Sequence, residues 1–246
     1  MQNLITKGFD GPKGLKAVFS FRPGTADENT ILATYKEDEY GFVNFQPQAG
    51  DAMIDAGGYV GSTAILYAQL FPEARIFCLE PLPENVEIIR KNIEANHLGE
   101  RIILIERALW GNSTDKIKVH YRDSSTVGAV HRFVGSAFPD YHETVSTETA
   151  EVQTISLDDI IRDQYIRNVR LLKMDIEGSE FEVLRGLSEE NLLKIQTMVG
   201  EYHNVKRNDG SFARHALYEL CKYRFANHSK GPDTDTWGPF LFERID

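Results

Sequence analysis

Cysteine is scarce in this chain. Cys78 and Cys221 are the only two among 246 residues, and neither stands in a CxxC or Cys/His metal spacing. A disulfide framework is excluded, and Cys78, inside an apolar run, reads as a small buried hydrophobe. Long apolar runs are missing as well. None approaches the roughly 20 residues of a membrane-spanning helix, and the first twenty residues, broken by Gly, Pro and Lys, hold no signal-peptide core. The expectation is a cytoplasmic protein with no membrane span. Positive charge is in deficit: 27 Lys and Arg against 37 Asp and Glu leave a net charge of −10. No cluster of basic residues offsets that balance locally, so nucleic acid is not the expected partner. Repeats and low-complexity tracts are absent, and the 41% hydrophobic and 26% charged residues are ordinary globular values. Collagen-like, coiled-coil and wholly disordered chains are thereby ruled out.

What the sequence does contain is alternation. Short apolar runs end in Gly or acidic residues, and each is followed by a stretch of helical period, the pattern of a parallel α/β sheet. Residues 51–56 form a strand leading into Gly57-Gly58-Tyr59-Val60-Gly61 and a helix from Ser62 to Leu70 that Pro72 stops. Arg75 to Leu79 is a second strand. Pro83 suits the first turn of a helix carrying Val86, Ile89 and Ile93 on one face, and Ile102 to Ile105 is a third strand. The rhythm lapses after Trp110-Gly111-Asn112, where Lys116 to Tyr121 and Glu151 to Ile155 read as strands around a loop or hairpin insertion spanning about 112–150. It returns at Ser156, which with Asp159 resembles a helix cap. Val169 to Met174 and Thr197 to Glu201 are further strands, with helices over Ser179 to Leu187 and Phe212 to Tyr223. Arg224 to His228 and Pro239 to Glu243 suit an antiparallel finish. The expected fold is α/β: a Rossmann-like, doubly wound sheet over 49–246, with an antiparallel C-terminal hairpin. Residues 1–48 read as a short helical or irregular segment packed on that core.

In an open parallel sheet, ligands bind beyond the carboxyl ends of the strands. Asp55 precedes a turn in which Gly57 and Gly58 let the backbone approach a ligand closely, and the following helix offers free N–H groups. Glu80 closes the next strand twenty-five residues later, where a carboxylate can accept both ribose hydroxyls of a nucleoside. A nicotinamide cofactor needs Gly-x-Gly-x-x-Gly to seat its diphosphate; here Tyr59 takes the middle glycine's place and acid stands before the turn. That chemistry suits a cationic ligand without phosphates, and S-adenosylmethionine is one.

The motifs together resemble the FkbM family of S-adenosylmethionine-dependent methyltransferases. The resemblance is carried by Asp55-Ala-Gly-Gly-Tyr-Val-Gly61, Glu80-Pro-Leu-Pro-Glu-Asn85, Asn92-Ile-Glu-Ala-Asn96, Ala108-Leu109, Ser156-Leu-Asp-Asp-Ile160, Leu172-Lys-Met-Asp-Ile-Glu-Gly-Ser-Glu180 and Glu201-Tyr-His203. Phe21-Arg-Pro-Gly-Thr-Ala-Asp27 and Glu39-Tyr40 match the family's opening segment. Gly58 departs from the family's usual Ala, and Tyr59 from its frequent Asn. The resemblance implies methyl transfer to a hydroxyl oxygen, often of a sugar or secondary metabolite. Asp55 and Gly57 would then meet the methionine part of the donor, Glu80 the ribose and Ala108 the adenine edge, with Gly58, Pro81 and Asn85 also counted among the cofactor-binding residues.

An alcohol is barely ionised at neutral pH, so a base or a metal is expected. Asp175 and Glu177 after one strand, and Glu201 and His203 at the end of another, are the candidates. Residues two apart on a strand face the same way, and Asp175, Glu201 and His203, with Glu177 nearby, can serve as metal ligands or, through a neutral imidazole, as a base. The same sequence also allows Glu177 to act only as a helix cap, and places Glu180, Glu182 and Arg185 on a solvated helix face. His131, Arg132 and His142 in the insertion are candidates for choosing the acceptor. Two other functions fit the fold: a cofactor-binding protein without catalysis and a nicotinamide-dependent oxidoreductase, the latter disfavoured by the broken glycine pattern.

Overall fold

The computed structural model describes residues 3–113, 116–121, 133–134, 148–203, 213–229 and 237–245, which form two compact units divided between Glu106 and Arg107. The first unit opens with a hairpin. Strands β1 (Ile5–Asp10) and β2 (Lys16–Phe21) pair antiparallel from Ile5↔Phe21 to Asp10↔Lys16. Along β2, Ala17, Phe19 and Phe21 are buried while Val18 is exposed, the period of two that a half-buried strand requires. Phe9 meets Phe19 and Phe21 edge to face, with ring centroids 5.7 and 5.9 Å apart. The sequence reading expects helical or irregular structure here, because Gly8, Gly11, Pro12 and Gly14 interrupt the alternation. Helix α1 (Asp27–Leu32) follows and continues as a π-helical turn over Ala33–Glu37.

Three parallel strands come next, β3 (Ala52–Ala56), β4 (Arg75–Leu79) and β5 (Ile102–Ile105), with β4 in the middle. Every residue of β3 is buried, as a parallel strand covered on both faces must be. Helix α2 (Ser62–Leu70) joins β3 to β4 and is buried from Ser62 through Ala68. Helix α3 (Pro83–Ala95) joins β4 to β5, has Pro in its first turn, and buries Val86, Ile88, Ile89 and Ile93; each such side chain contributes about 1.5–3 kcal/mol.

Two amides, Asn92 on α3 and Asn96 just past its last residue, fasten the hairpin. Asn92 Oδ1 accepts from Ser20 N at 2.7 Å and its Nδ2 donates to Ser20 O at 3.1 Å. Asn96, one turn on, repeats the pattern with Val18 at 2.9 and 2.7 Å. Positions i and i+4 thereby satisfy alternate residues along the edge that β1 leaves open.

In the second unit, β6 (Ala108–Leu109), β7 (Lys116–Tyr121), β8 (Phe133–Val134) and β9 (Glu148–Ile155) form a small sheet ordered β6-β9-β7-β8. The lapse in the strand–helix rhythm is this sheet. His131, Arg132 and His142 lie outside the described residues, as does Phe212. Helix α4 (Leu157–Asp163) starts where the sequence indicates, with Ser156 Oγ accepting from Asp159 N at 3.1 Å, a cap worth about 1 kcal/mol. Strand β10 (Val169–Met174), helices α5 (Glu180–Gly186) and α6 (Glu189–Leu192), strand β11 (Thr197–His203) and helix α7 (Ala213–Cys221) follow. Strands β12 (Phe225–Asn227) and β13 (Trp237–Arg244) close the chain. β10 and β11 run parallel, and β13 lies antiparallel between β11 and β12, which is the antiparallel finish the sequence indicates. At Gly200 a Cβ would stand 1.7 Å from Met174 O, so only glycine lets β11 reach Glu201 beside β10. The alternation of strands and helices is the Rossmann-like α/β fold expected. Among the described residues no helix is long and apolar enough to cross a membrane.

Candidate active site

In the first unit β3 and β4 end side by side, with Asp55 opposite Cys78 and Ala56 opposite Leu79. Asp55 is wholly buried, and Cys78 Sγ approaches its Oδ2 at 4.0 Å. The chain then turns sharply: the Gly57 and Gly58 amides both donate to Leu79 O, at 3.1 and 2.8 Å. Gly57 has φ 84, in the left-handed region that glycine enters freely. Tyr59 has φ 51, which is rare for a bulky side chain. The turn closes with Gly61 N donating to Gly58 O at 2.7 Å, and α2 begins.

Glu80, 4% exposed, stands at the end of β4. Its Oε2 accepts from Tyr59 N at 2.9 Å, and its Oε1 accepts from Leu82 N at 3.0 Å and Asn85 Nδ2 at 3.1 Å. Asn85 is buried, and its Oδ1 has no hydrogen-bond partner among the described residues. Pro81, between these groups, is half-buried. Burial first, then the charges of Asp55, Asp38 and Glu39, push the Tyr67 hydroxyl pKa well above its ordinary value.

The second unit carries a separate cluster. Asp175, Glu177 and His203 each offer a ligand atom, and these atoms lie within 4.8 Å of one another. Glu177 Oε2 is 3.1 Å from His203 Nε2, and Glu180 Oε1 is 3.2 Å from His203 Nδ1. Both ring nitrogens therefore face carboxylates. Burial opposes charging the ring, but Glu177, Glu180 and Asp175 outweigh it and raise its pKa to about 10. That direction favours the imidazolium over the neutral imidazole that a base would need.

Two further expectations change. Glu180 is not on a solvated face: it is 2% exposed and folds back under the turn, where its carboxylate accepts from Ile176 N at 3.1 Å and from Gly178 N at 3.1 and 3.3 Å. Glu182 is 9% exposed and pairs with Arg185. Glu177, which the sequence allowed as a mere cap, turns at φ 54 and directs its carboxylate to His203. Glu177 thus stands in the group of mutually close ligand atoms beside Asp175 and His203, where the sequence placed Glu201. Glu201 is half-buried on β11, two residues before His203. Ala108 lies buried on β6, in the second unit.

Arg22 and Asp27 carried no assigned role in the sequence reading, yet both are buried against Tyr59 beside the glycine turn. The signal for them was a charged pair inside an otherwise small-residue run, Arg22-Pro-Gly-Thr-Ala-Asp27.

The strand–helix order, with a glycine turn and a fixed carboxylate on neighbouring strand ends, defines a Rossmann-like fold of the class I methyltransferase kind. The solved structure of a putative rRNA-methylase from Clostridium thermocellum shares that fold, with a TM-score of 0.50 and 12% identity over 85% of this chain and 95% of that one. The sequence profile of the Methyltransferase FkbM domain matches residues 55–226, and the chain belongs to the FkbM methyltransferase family. Methyltransferase 1 of Beauveria bassiana is 27% identical over 202 residues, which cover 76% of each chain. The 2-O-methyltransferase NoeI of Sinorhizobium fredii is 26% identical over 206 residues and 81% of each. The protein is a methyltransferase, and the oxidoreductase alternative falls.

Proposed function

We propose that this methyltransferase takes its methyl group from S-adenosylmethionine and delivers it to a hydroxyl oxygen of a small molecule, most plainly a sugar, a glycan or a secondary metabolite. The observation that carries the reading is the pair of adjacent strand ends in the first unit. One presents the buried Asp55 and the Gly57-Gly58 turn, the other a Glu80 carboxylate held by three donors. Asp55 and the turn suit the cationic methionine end of the donor. Glu80, with Pro81 and Asn85, suits a ribose, whose hydroxyls need an acceptor that is already fixed. Ala108 is assigned to the adenine edge. The name of NoeI, a 2-O-methyltransferase, supports oxygen as the accepting atom.

Methyl transfer is an in-line displacement at a sulfonium, and orienting the two partners supplies up to roughly 7–11 kcal/mol of the acceleration in well-positioned systems. The acceptor must also lose its proton. Asp175, Glu201 and His203 are assigned to that task, with the roles divided by charge state. His203, as an imidazolium, clamps Glu177 and Glu180, and the carboxylates of Asp175 and Glu201 receive the hydroxyl proton. Asp175, Glu177 and His203 also form a donor set that fits a hard divalent cation. Such an ion would supply a lower pKa for the acceptor hydroxyl.

Calorimetric titration with S-adenosylmethionine and S-adenosylhomocysteine tests the donor. Micromolar affinity, roughly −8 kcal/mol, is expected, and a folded Glu80→Ala variant should bind more weakly. Unchanged affinity in that variant would refute the ribose assignment. Incubation with panels of sugars and hydroxylated metabolites, read by mass spectrometry and by release of S-adenosylhomocysteine, tests the acceptor. Donor binding without turnover on any acceptor would leave a cofactor-binding protein without catalysis.

A further inference from the structure

Tyr59 occupies a backbone conformation that a tyrosine adopts only under constraint, and the constraint is visible. Its hydroxyl donates to Asp27 Oδ1 at 2.5 Å. Asp27, 0% exposed, also accepts from Arg22 Nη2 at 2.9 Å on Oδ1, and from Arg22 Nε at 2.8 Å and Arg22 N at 3.0 Å on Oδ2. The Arg22 guanidinium lies over the Tyr59 ring, 5.3 Å from its centroid. Four donors on one buried carboxylate make a rigid mount. Burying this pair has a cost: Arg22 is 3% exposed, and its Nη1 has no hydrogen-bond partner among the described residues. The mount is therefore not the simplest way to fill that space. At the other end of the same residue, Tyr59 N reaches Glu80 Oε2 at 2.9 Å.

We infer that Arg22 and Asp27 are positioning residues for donor binding: they hold the Tyr59 side chain, which holds its left-handed backbone, which points its amide at Glu80 and fixes that carboxylate for the ribose. The inference rests on the proposed use of S-adenosylmethionine and adds to it a part of the chain upstream of the glycine turn. It explains how tyrosine stands where the family often has asparagine. Asparagine enters the left-handed region with little strain, whereas tyrosine at this position needs the mount. Asn92 supports the same turn from α3, its Nδ2 donating to Val60 O at 2.9 Å, so the turn is held from both sides.

The test uses the full chain, with S-adenosylhomocysteine and an analogue lacking both ribose hydroxyls as probes, by isothermal calorimetry. Tyr59→Phe deletes one hydroxyl and leaves the ring over Arg22. It is expected to weaken S-adenosylhomocysteine about tenfold, the order of one lost charge-assisted contact, while binding of the analogue hardly changes. Asp27→Asn should act in the same sense. Combining Tyr59→Phe with Glu80→Gln should weaken binding by less than the product of the single effects, because the two act through one contact. Equal loss for both probes would reduce Tyr59 to a structural residue and overturn the inference, as would a folded Tyr59→Phe variant that binds both like the wild type. Absence of binding by the wild type to either probe would overturn the donor assignment itself.

Discussion

Gly58 and Cys78 are fitted to one another: a Cβ on Gly58 would stand 2.5 Å from Cys78 Sγ and 3.2 Å from Ile89 Cδ1. Gly58 does not have positive φ, so the backbone there accepts any residue and space alone demands glycine. The alanine usual in the family would collide with the thiol. Gly58→Ala is expected to destabilise the protein by about 1–3 kcal/mol, as overpacking of a dense core does. Cys78→Ala, which removes the obstructing sulfur, should restore most of the loss when combined with it. Denaturant midpoints of the two single variants and the double variant measure this coupling. Strictly additive costs would show that the two residues do not constrain each other.

Asn92 and Asn96 make similar contacts with β2 at different depths, so their replacement should differ in cost. Asn92 is 0% exposed and serves Ser20 N, Ser20 O and Val60 O. Asn92→Ala leaves the buried Val60 carbonyl and the half-buried Ser20 groups without these partners, an expected loss of about 2–4 kcal/mol. Asn96 is half-buried, and water can replace its contacts with Val18; Asn96→Ala should cost about 1 kcal/mol or less. Urea denaturation of the two variants gives the comparison, and equal losses would contradict this account of the hairpin's attachment.

The strand ends were readable in the sequence because they depend on local order. Buried parallel strands appear as apolar runs, glycine marks a sharp turn, and Ser156 with Asp159 marks a helix start that the structure reproduces at 3.1 Å. The features that escaped depend on distant partners. Glu180 has the helical spacing of a solvated residue, and only the return of the turn over it buries the carboxylate. The hairpin of β1 and β2 is stitched by amides at the C-terminal end of α3, 72 and 78 residues away in sequence. His203 could be recognised as a candidate, but its charge depends on carboxylates that only the fold brings to its two nitrogens.

That charge makes stability depend on pH with a definite sign. Burial disfavours the charged ring, yet the surrounding carboxylates raise its pKa from 6.5 to about 10 in the folded protein. A group whose folded pKa is raised stabilises fully below its unfolded value, and the contribution is lost as pH climbs through the folded one. Stability should therefore fall from near pH 6.5 toward about 10, with a slope of up to about 1.4 kcal/mol per pH unit for one proton. Cys221, whose thiol burial pushes up to about 12, adds a loss of the same sign only above its ordinary value of 9.0. Among the described groups with a shifted pKa, His203 is the one whose contribution changes between pH 7 and 8.5. Denaturation midpoints across that interval should decline in the wild type and stay flatter in His203→Gln; parallel slopes would mean the folded ring is neutral.

On the proposed division of roles, Asp175 rather than His203 receives the acceptor's proton. Asp175→Asn keeps the size of the side chain but removes its negative charge, so turnover should fall on the order of 10²–10⁴-fold, the usual contribution of a positioned base. Affinity for S-adenosylhomocysteine should hold, since Asp175 is assigned no contact with the donor. Glu201→Gln should show a smaller loss if Asp175 is the main base. A carboxylate alone is a weak base for an alcohol, which makes the state of the Asp175, Glu177 and His203 cluster decisive. A cation there has to displace the proton that His203 holds with a pKa of about 10 and compete for the Glu177 carboxylate at 3.1 Å. That competition favours the proton-filled form near neutral pH and the cation-filled form as pH rises. Activity at pH 7 is accordingly expected to survive prolonged treatment with EDTA. Loss of activity to EDTA and its recovery with Mg²⁺ or Mn²⁺ would instead assign the cluster to a metal that lowers the hydroxyl's pKa. Full activity in both Asp175→Asn and Glu201→Gln would remove the acceptor chemistry from these strand ends altogether.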